Sequence, residues 1–511
     1  MKSDFSKAVP PATTLGMFCV IFCPWNKIRL LHAPTDVVNV VRSVVDKING
    51  IKKGSGPVKT SEKEKLGAIN FTMDGNLFQE LNSKESATMG KLLCICLLEE
   101  LFKVGYELDL SSDLSRSSMQ ASTLFFRKTA SGYPGAYVMC VAPGKTDRIT
   151  LLNHDIKIKN AVEEAIKDTW PEGIDRQKDI NVLGQTINEI KMNGLPWSSA
   201  SASETNIENN RIINKIVENL SKLNLQLLAG INIKGGTDSL FFIADPGRRL
   251  SWPPNTQFAS ISLCRFDRLR LIDCKEEADA IRQTMIQNDY KIQDESLKEH
   301  HAKFQLQGTP WSCSGMEAVR ARQLISRISE KMLQSGWALT DAIDITRREH
   351  DKSMLMFRRC APTEAKFSCF ALTSTNHLRF VDFPSKDVEV LKKCLTNNYL
   401  PGFIGINTSK AGHLTATLNG SPWSHPASMD LGWALHARSL LLHLLANAIR
   451  LGYRIVASAD ISAKHFGNAS GSYPMDVHTI YMVKLPENRE QNAREKPPSY
   501  LAATMFDEDK K

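Results

Sequence analysis

One pattern recurs four times at domain-sized intervals, and it restricts the possible folds more than any other feature of the chain. Gly105, Asn224, Gly336 and Gly452 stand 119, 112 and 116 residues apart. Eight residues beyond each marker comes an acid or its amide: Asp113, Asn232, Asp344 and Asp460. Fourteen residues before each lies Lys91, Asn210, Arg322 or Arg438, within an apolar helical pattern. Further upstream the chain reads Gly194-Leu195-Pro196-Trp197, Gly308-Thr309-Pro310-Trp311 and Gly420-Ser421-Pro422-Trp423, with a degenerate Gly75-Asn76-Leu77-Phe78 in the first copy. A helix and the strand after it therefore repeat as a unit. Gly, and next Asn, suits the marker because the residue after a helix often takes positive φ.

Intervals of this length exceed those of solenoid repeats, so each copy is a domain. Filling in the rest from periodicity gives each copy two strands, a helix, a strand, the marker helix and two closing strands. In copy one these are Phe18 to Cys23, Lys27 to Leu31, the helix Val37 to Ile48, Ala68 to Met73, the helix around Lys91 to Lys103, the strand from Tyr106, and Thr123 to Arg127. The predicted fold is α+β: four tandem copies of a ~115-residue ββαβαββ unit, each a mainly antiparallel sheet with two helices on one face. The expected map is a flexible leader at 1–15, units at 16–130, 131–250, 257–360 and 365–485, and a charged flexible tail at 486–511. Asp245 to Asn255 and the Lys- and Gly-rich stretch Gly50 to Lys65 read as linkers.

Composition narrows the class. With 42% hydrophobic and 23% charged residues the chain is ordinary globular protein, and its net charge of +9 over 511 residues makes it only mildly basic. The 11 cysteines fall mostly in apolar patterns, as buried thiols of a reducing compartment would. Cys94-Ile95-Cys96 lacks zinc-ligand spacing, so no metal site is expected. The apolar run Gly16 to Trp25 aligns with first strands elsewhere and reads as a strand rather than a signal peptide. No run approaches the length of a membrane span. These features point to a cytoplasmic protein, a nuclear location being compatible.

Three constellations could carry function. Arg29, Arg148, Arg270 and Arg379 lie on or at the start of second strands, where alternation sends Arg29, Arg270 and Arg379 to the open face of the sheet. With Lys52 and Lys53 they are the anion-binding candidates, suited to phosphate or carboxylate; the competing account is cross-strand ion pairing. Trp197, Trp311 and Trp423 could stack on bases, but behind Pro at a strand-to-helix corner they fit better as core plugs. Asp113, Asp344 and Asp460 lack a fixed His or Ser partner and give way to Asn in unit two, which favours a turn role over a catalytic one. With Gly105, Gly336 and Gly452 they belong to the architecture.

Walker, Rossmann, nucleophile-elbow and zincin motifs are missing, and no catalytic residue or cofactor is assigned. Drift at polar positions over a retained scaffold suits tandem binding modules. The expected function is a non-catalytic intracellular scaffold that binds partner proteins through sheet faces or edges. The alternative is a binder of anionic surfaces, acidic phospholipid or nucleic acid, through the arginines and the Lys-rich loop; its affinity would fall steeply with salt.

Overall fold

The computed structural model describes residues 8–10, 15–23, 25–54, 59–75, 77–78, 83–115, 121–198, 204–233, 237–245, 252–253, 255–345, 352–409, 413–424, 432–461, 465–468, 471–474 and 476–486. Residues 487–511 of the expected tail, 246–251 of the expected linker and most of the leader lie outside them.

Unit one runs β1 (Met17–Cys23), β2 (Lys27–Leu31), α1 (Thr35–Lys53), β3 (Ser61–Lys65), β4 (Ala68–Thr72), α2 (Lys84–Lys103), β5 (Tyr106–Ser112) and β6 (Thr123–Lys128). Unit two repeats this as β7 (Tyr137–Gly144), β8 (Arg148–Leu152), α3 (Ile156–Thr169), β9 (Ile174–Val182), β10 (Gln185–Met192), α4 (Glu204–Lys222), β11 (Gln226–Ile231) and β12 (Ser239–Ala244). Unit three has β13 (Phe258–Cys264), β14 (Arg268–Ile272), α5 (Ala278–Gln287), β15 (Ile292–Leu297), β16 (His301–Leu306), α6 (Gly315–Gln334), β17 (Trp337–Ile343) and β18 (Met354–Arg359). Unit four has β19 (Lys366–Thr373), β20 (His377–Val381), α7 (Ser385–Asn398), β21 (Phe403–Thr408), β22 (Leu414–Leu418), α8 (Gly432–Arg450) and β23 (Tyr453–Ala459), then a hairpin, β24 (His465–Asn468) with β25 (Gly471–Pro474), and β26 (Asp476–Lys484).

Each unit is a six-stranded antiparallel sheet in the order β3-β4-β2-β1-β6-β5 or its counterpart. The fold class is the expected α+β repeat, with one strand more per unit than the ββαβαββ pattern. The extra strand is the outer edge. In unit one it is Ser-Glu-Lys-Glu-Lys, exposed throughout, a sequence with no apolar face to mark it as a strand. The stretch Gly50 to Lys65 is thus no simple linker: its start closes α1 and its end forms β3. In the leader, Val9 is buried and its N–H donates to the Leu66 carbonyl at 3.0 Å.

The markers do what their residue types suggest. Gly105, Asn224, Gly336 and Gly452 all have positive φ, between 59° and 87°. A β-bulge then recurs at one register in all four copies, between Leu108 and Leu110, Leu227 and Ala229, Leu339 and Asp341, and Ile455 and Ala457. Bulges sharpen twist and bend a strand, and these fall on the inner edge strands β5, β11, β17 and β23, which pack against one another.

The units close into a ring. β5 packs against β11, β11 against β17, β17 against β23, and β23 returns to β5. Around these inner strands, the long helix of each unit lies on the sheet of the next: α2 on β7, α4 on β13, α6 on β19, and α8 on β1. Every hydrophobic core therefore straddles a junction. In β1, Phe18, Val20 and Phe22 enter the core under α1 and α2, while Met17, Cys19, Ile21 and Cys23 enter the one built on α8. In β7, Val138, Cys140 and Ala142 join the unit-one core, and Met139 and Val141 join that of units two and three. Two apolar faces per strand bury it on both sides, as in the sheet of an α/β fold. The second face of each sheet is not open, which corrects the expectation of a half-exposed sheet.

Candidate functional site

The junctions use the recurrent polar positions. At the inner ring, the Asn232 N–H donates to Ser122 Oγ at 3.0 Å while the Ser122 N–H donates to the Asn232 carbonyl at 2.7 Å. The same exchange joins Asp344 to Asp238 (2.8 and 2.8 Å) and Asp460 to Ser353 (2.9 and 3.3 Å). At the fourth junction the Asp113 N–H donates to His478 Nδ1 at 3.3 Å. Backbone groups of the recurrent residue carry the clasp, so Asp and Asn are interchangeable in it. Side-chain uses differ: Asp113 Oδ1 accepts the Ser115 N–H at 3.1 Å, closing a turn, and Asp460 meets the buried Lys352 ammonium at 2.9 Å. Thr346 and Ser462, which extend the proposed turns, lie outside the described residues.

Midway out, the polar residue of each long helix meets the next sheet. Arg322 Nε donates to Thr479 Oγ1 at 2.8 Å, and Arg438 Nε to the equivalent Thr123 Oγ1 at 3.3 Å. Where the sheet position is Met354, the helix position is the neutral Asn210, which bonds back within its own helix to Asn206. Farther out, the residue after each second strand, always at positive φ, meets the same helix. His32 Nε2 lies 2.7 Å from Ser439 Oγ; Asn153 Nδ2 donates to Glu99 at 3.3 Å. Asp273 accepts from Arg211 and Asn214, and Asp382 accepts from Gln323 and forms an ion pair with Arg327 at 3.1 Å. Shared positions with unlike partners make each helix fit one sheet, since a swap would set Glu99 against Asp273 or Asp382.

One family model matches the chain four times, over residues 16–127, 137–243, 257–358 and 366–483. The chain belongs to that family of repeated domains. No curated protein matches it.

The predicted anion sites do not share an open face in this family member. Arg29 and Arg270 are buried, because the face that alternation assigns them is covered by the preceding unit's helix. Arg29 Nε donates to Asn70 at 2.7 Å. Arg148 pairs with Glu189 at 2.6 Å, and against the desolvation of burial the hydrogen bonds from Lys84 and then Arg148 hold that carboxylate below its ordinary range. Arg379 Nη1 donates to the Gly315 carbonyl at 2.7 Å. Lys52 and Lys53 both end on Asp74. The tryptophans are equivalent plugs: Trp197, Trp311 and Trp423 are buried, and their Nε1–H groups donate to the carbonyls of Arg148, Arg268 and His377 at 2.8, 2.8 and 3.1 Å.

Catalytic chemistry finds little room on the axis. A cavity of about 90 Å³ lies between the inner strands, lined in part by Leu108, Asp109, Leu228, Thr340, Asp341 and Val456; ligand pockets are several-fold larger. Burial pushes Asp113, Asp238 and Asp341 up to about 7. Each already accepts a backbone N–H, Asp341 from both Gly230 and Ala342 at 2.8 Å. Burial likewise pushes the Cys19 thiol up to about 12, away from nucleophile chemistry. Among the described residues no cluster of His, Cys, Asp and Glu is placed to hold a metal, and no helix is long and apolar enough to cross a membrane.

Among the described residues the outer edges are a further unclaimed feature. β3, β9, β15 and β21 each pair with one strand only. The first three carry acids held by cations: Arg42 with Glu62 at 2.8 Å, Lys159 with Asp179 at 3.1 Å, Arg282 with Glu295 at 2.7 Å. Such charges discourage strand addition. β21 reads Phe-Ile-Gly-Ile-Asn-Thr, without a charge. Ile404 is 70% exposed and Phe403 36%, with Leu400 beside them at 49%. Sequence reasoning missed this edge; an apolar exposed run next to the Pro401-Gly402 turn was the available signal.

Proposed function

We propose that this chain is a ring-shaped, non-catalytic scaffold that binds partner proteins by strand addition at its outer edges, chiefly at β21. The observation that carries the reading is the contrast among four equivalent edges, of which three are charge-guarded and the fourth is neutral and apolar. The sheet faces and inner edges are spent on ring closure, which leaves backbone pairing at the rim open to a partner. An extended, uncharged segment with apolar alternate side chains fits β21, the ladder giving affinity and the Ile404 side register.

The test is a fluorescent heptapeptide of alternating Val and Thr, titrated by anisotropy and mapped by hydrogen exchange. Binding is expected to protect amides of 403–408 and leave β3, β9 and β15 unchanged, with Ile404→Lys weakening it about tenfold or more. Affinity should vary little with salt. Equal protection of the charged edges, or no binding, would remove the reading; preferential binding of anionic vesicles with a steep salt slope would replace it with the anionic-surface function.

A further inference from the structure

We propose that the junction between units four and one is a pH-operated seam, at which acidification parts α8 from the unit-one sheet while the other three junctions hold. Units one to two, two to three and three to four are joined by the short connections after Lys128, Ala244 and Arg359. Units four and one are not consecutive in the chain and meet through noncovalent contacts alone, so this junction can part without strain on a linker.

Its chemistry is also unlike the others. At three structurally equivalent positions the seam carries histidine where the other junctions carry other residues. His413, beside the Asp382–Arg327 pair of the junction between units three and four, is at none of these positions and has a carboxylate near it to receive its charge. His32 stands where they have Asn153, Asp273 and Asp382; His443 where they have Cys96, Lys215 and Arg327; His478 where they have Ser122, Asp238 and Ser353. The contacts need neutral rings. His478 Nδ1 accepts the Asp113 N–H, and it lies 3.2 Å from Ser458 Oγ, whose proton goes to Ser112 Oγ at 2.7 Å. The His32 and His443 rings meet edge to face at 5.8 Å, where two imidazolium ions would repel. Cations crowd the seam from every side: Arg450 faces His443, Lys352 faces His478, and Arg438 and Arg29 lie behind. Asp113 and Asp460 are the acids that face them.

The sign follows from burial. Burial, with His443 adding to it, lowers His32 to about 4, and burial lowers His478 to about 4. A histidine depressed from an ordinary ~6.5 stabilises the closed form fully above that value and loses the contribution as pH falls toward 4. Asp113 works the other way: raised to about 7 by burial, it favours closure on acidification and offsets about one histidine. The net expectation is about a tenfold rise in opening between pH 7 and pH 5.

Three equivalent amides read this out: Asp113 at the seam, and Asn232 and Asp460 at two other junctions, where the acceptors are serine hydroxyls. Asp344 is left out because its acceptor, Asp238, is itself pushed up to about 7 by burial. Hydrogen exchange on the full chain, corrected for intrinsic pH dependence, should show Asp113 losing about tenfold in protection from pH 7 to pH 5, with Asn232 and Asp460 holding theirs. The double variant His32→Asn, His478→Ser, which installs residues used elsewhere in the ring, should abolish the loss. Asp113→Asn removes the counterweight, so its acid response should be at least a further tenfold larger. Parallel loss at all three amides, or an unchanged seam, would overturn the proposal. Should the double variant not fold, an acid response in Asp113→Asn equal to or below that of the unaltered chain would overturn it equally.

Discussion

Replacing Trp311 with alanine is expected to lower the free energy of unfolding by about 3–5 kcal/mol. The indole is fully buried in the core shared by units three and four, and its Nε1–H donates to the Arg268 carbonyl at 2.8 Å. Truncation removes the apolar area and leaves both a void and an unmatched carbonyl in the strand-to-helix corner. Trp197 and Trp423 occupy the same corner, so their alanine variants should cost as much. Trp25→Ala is the control: the ring is half exposed at the tip of the β1–β2 turn, and its loss should stay within about 0.5 kcal/mol. Denaturant midpoints of the four variants decide the matter. A cost below about 1 kcal/mol at Trp311 would mean that the corner tolerates the void, and that the tryptophans serve something other than packing.

Thr479→Val should cost about 2–3 kcal/mol although it is nearly isosteric. The hydroxyl accepts from Arg322 Nε across the junction of units three and four, and both residues are buried. Valine strands a charged donor in a dry interface. Adding Arg322→Met should restore most of the loss, because an apolar pair of similar volume removes the stranded charge. The preceding junction already does without a charge at this contact: Met354 stands at the sheet position and the helix residue is the neutral Asn210. Additive costs in the double variant would show that the two residues are not coupled.

The unit was legible in the sequence, and the ring was not. Gly105, Gly336 and Gly452 announce their helix ends because positive φ restricts residue choice, and Pro-Trp pairs mark their corners for similar local reasons. β3 escaped notice because Ser61–Lys65 has no apolar face, and a strand solvated on both sides has no periodic signature. Ring closure is a non-local fact, yet two traces of it were present. Met17–Cys23 is apolar without alternation, which is how a strand buried on both faces reads. Leu440, Leu441, Leu442, Leu444 and Leu445 make α8 apolar nearly all round, as a helix packed between two sheets must be. Alternation misplaced Arg29 and Arg270 because it separates two faces of a sheet without saying whether the second meets water. The seam histidines could have been found by aligning the four copies and asking where one departs from the rest.

Small-angle X-ray scattering tests the closed ring most directly. A compact 511-residue body should have a radius of gyration of about 24 Å, with a single-peaked distance distribution. Four such units strung out with unit four free of unit one would give well over ~30 Å and a multi-lobed distribution, and that result would contradict the ring and with it the account of the junctions.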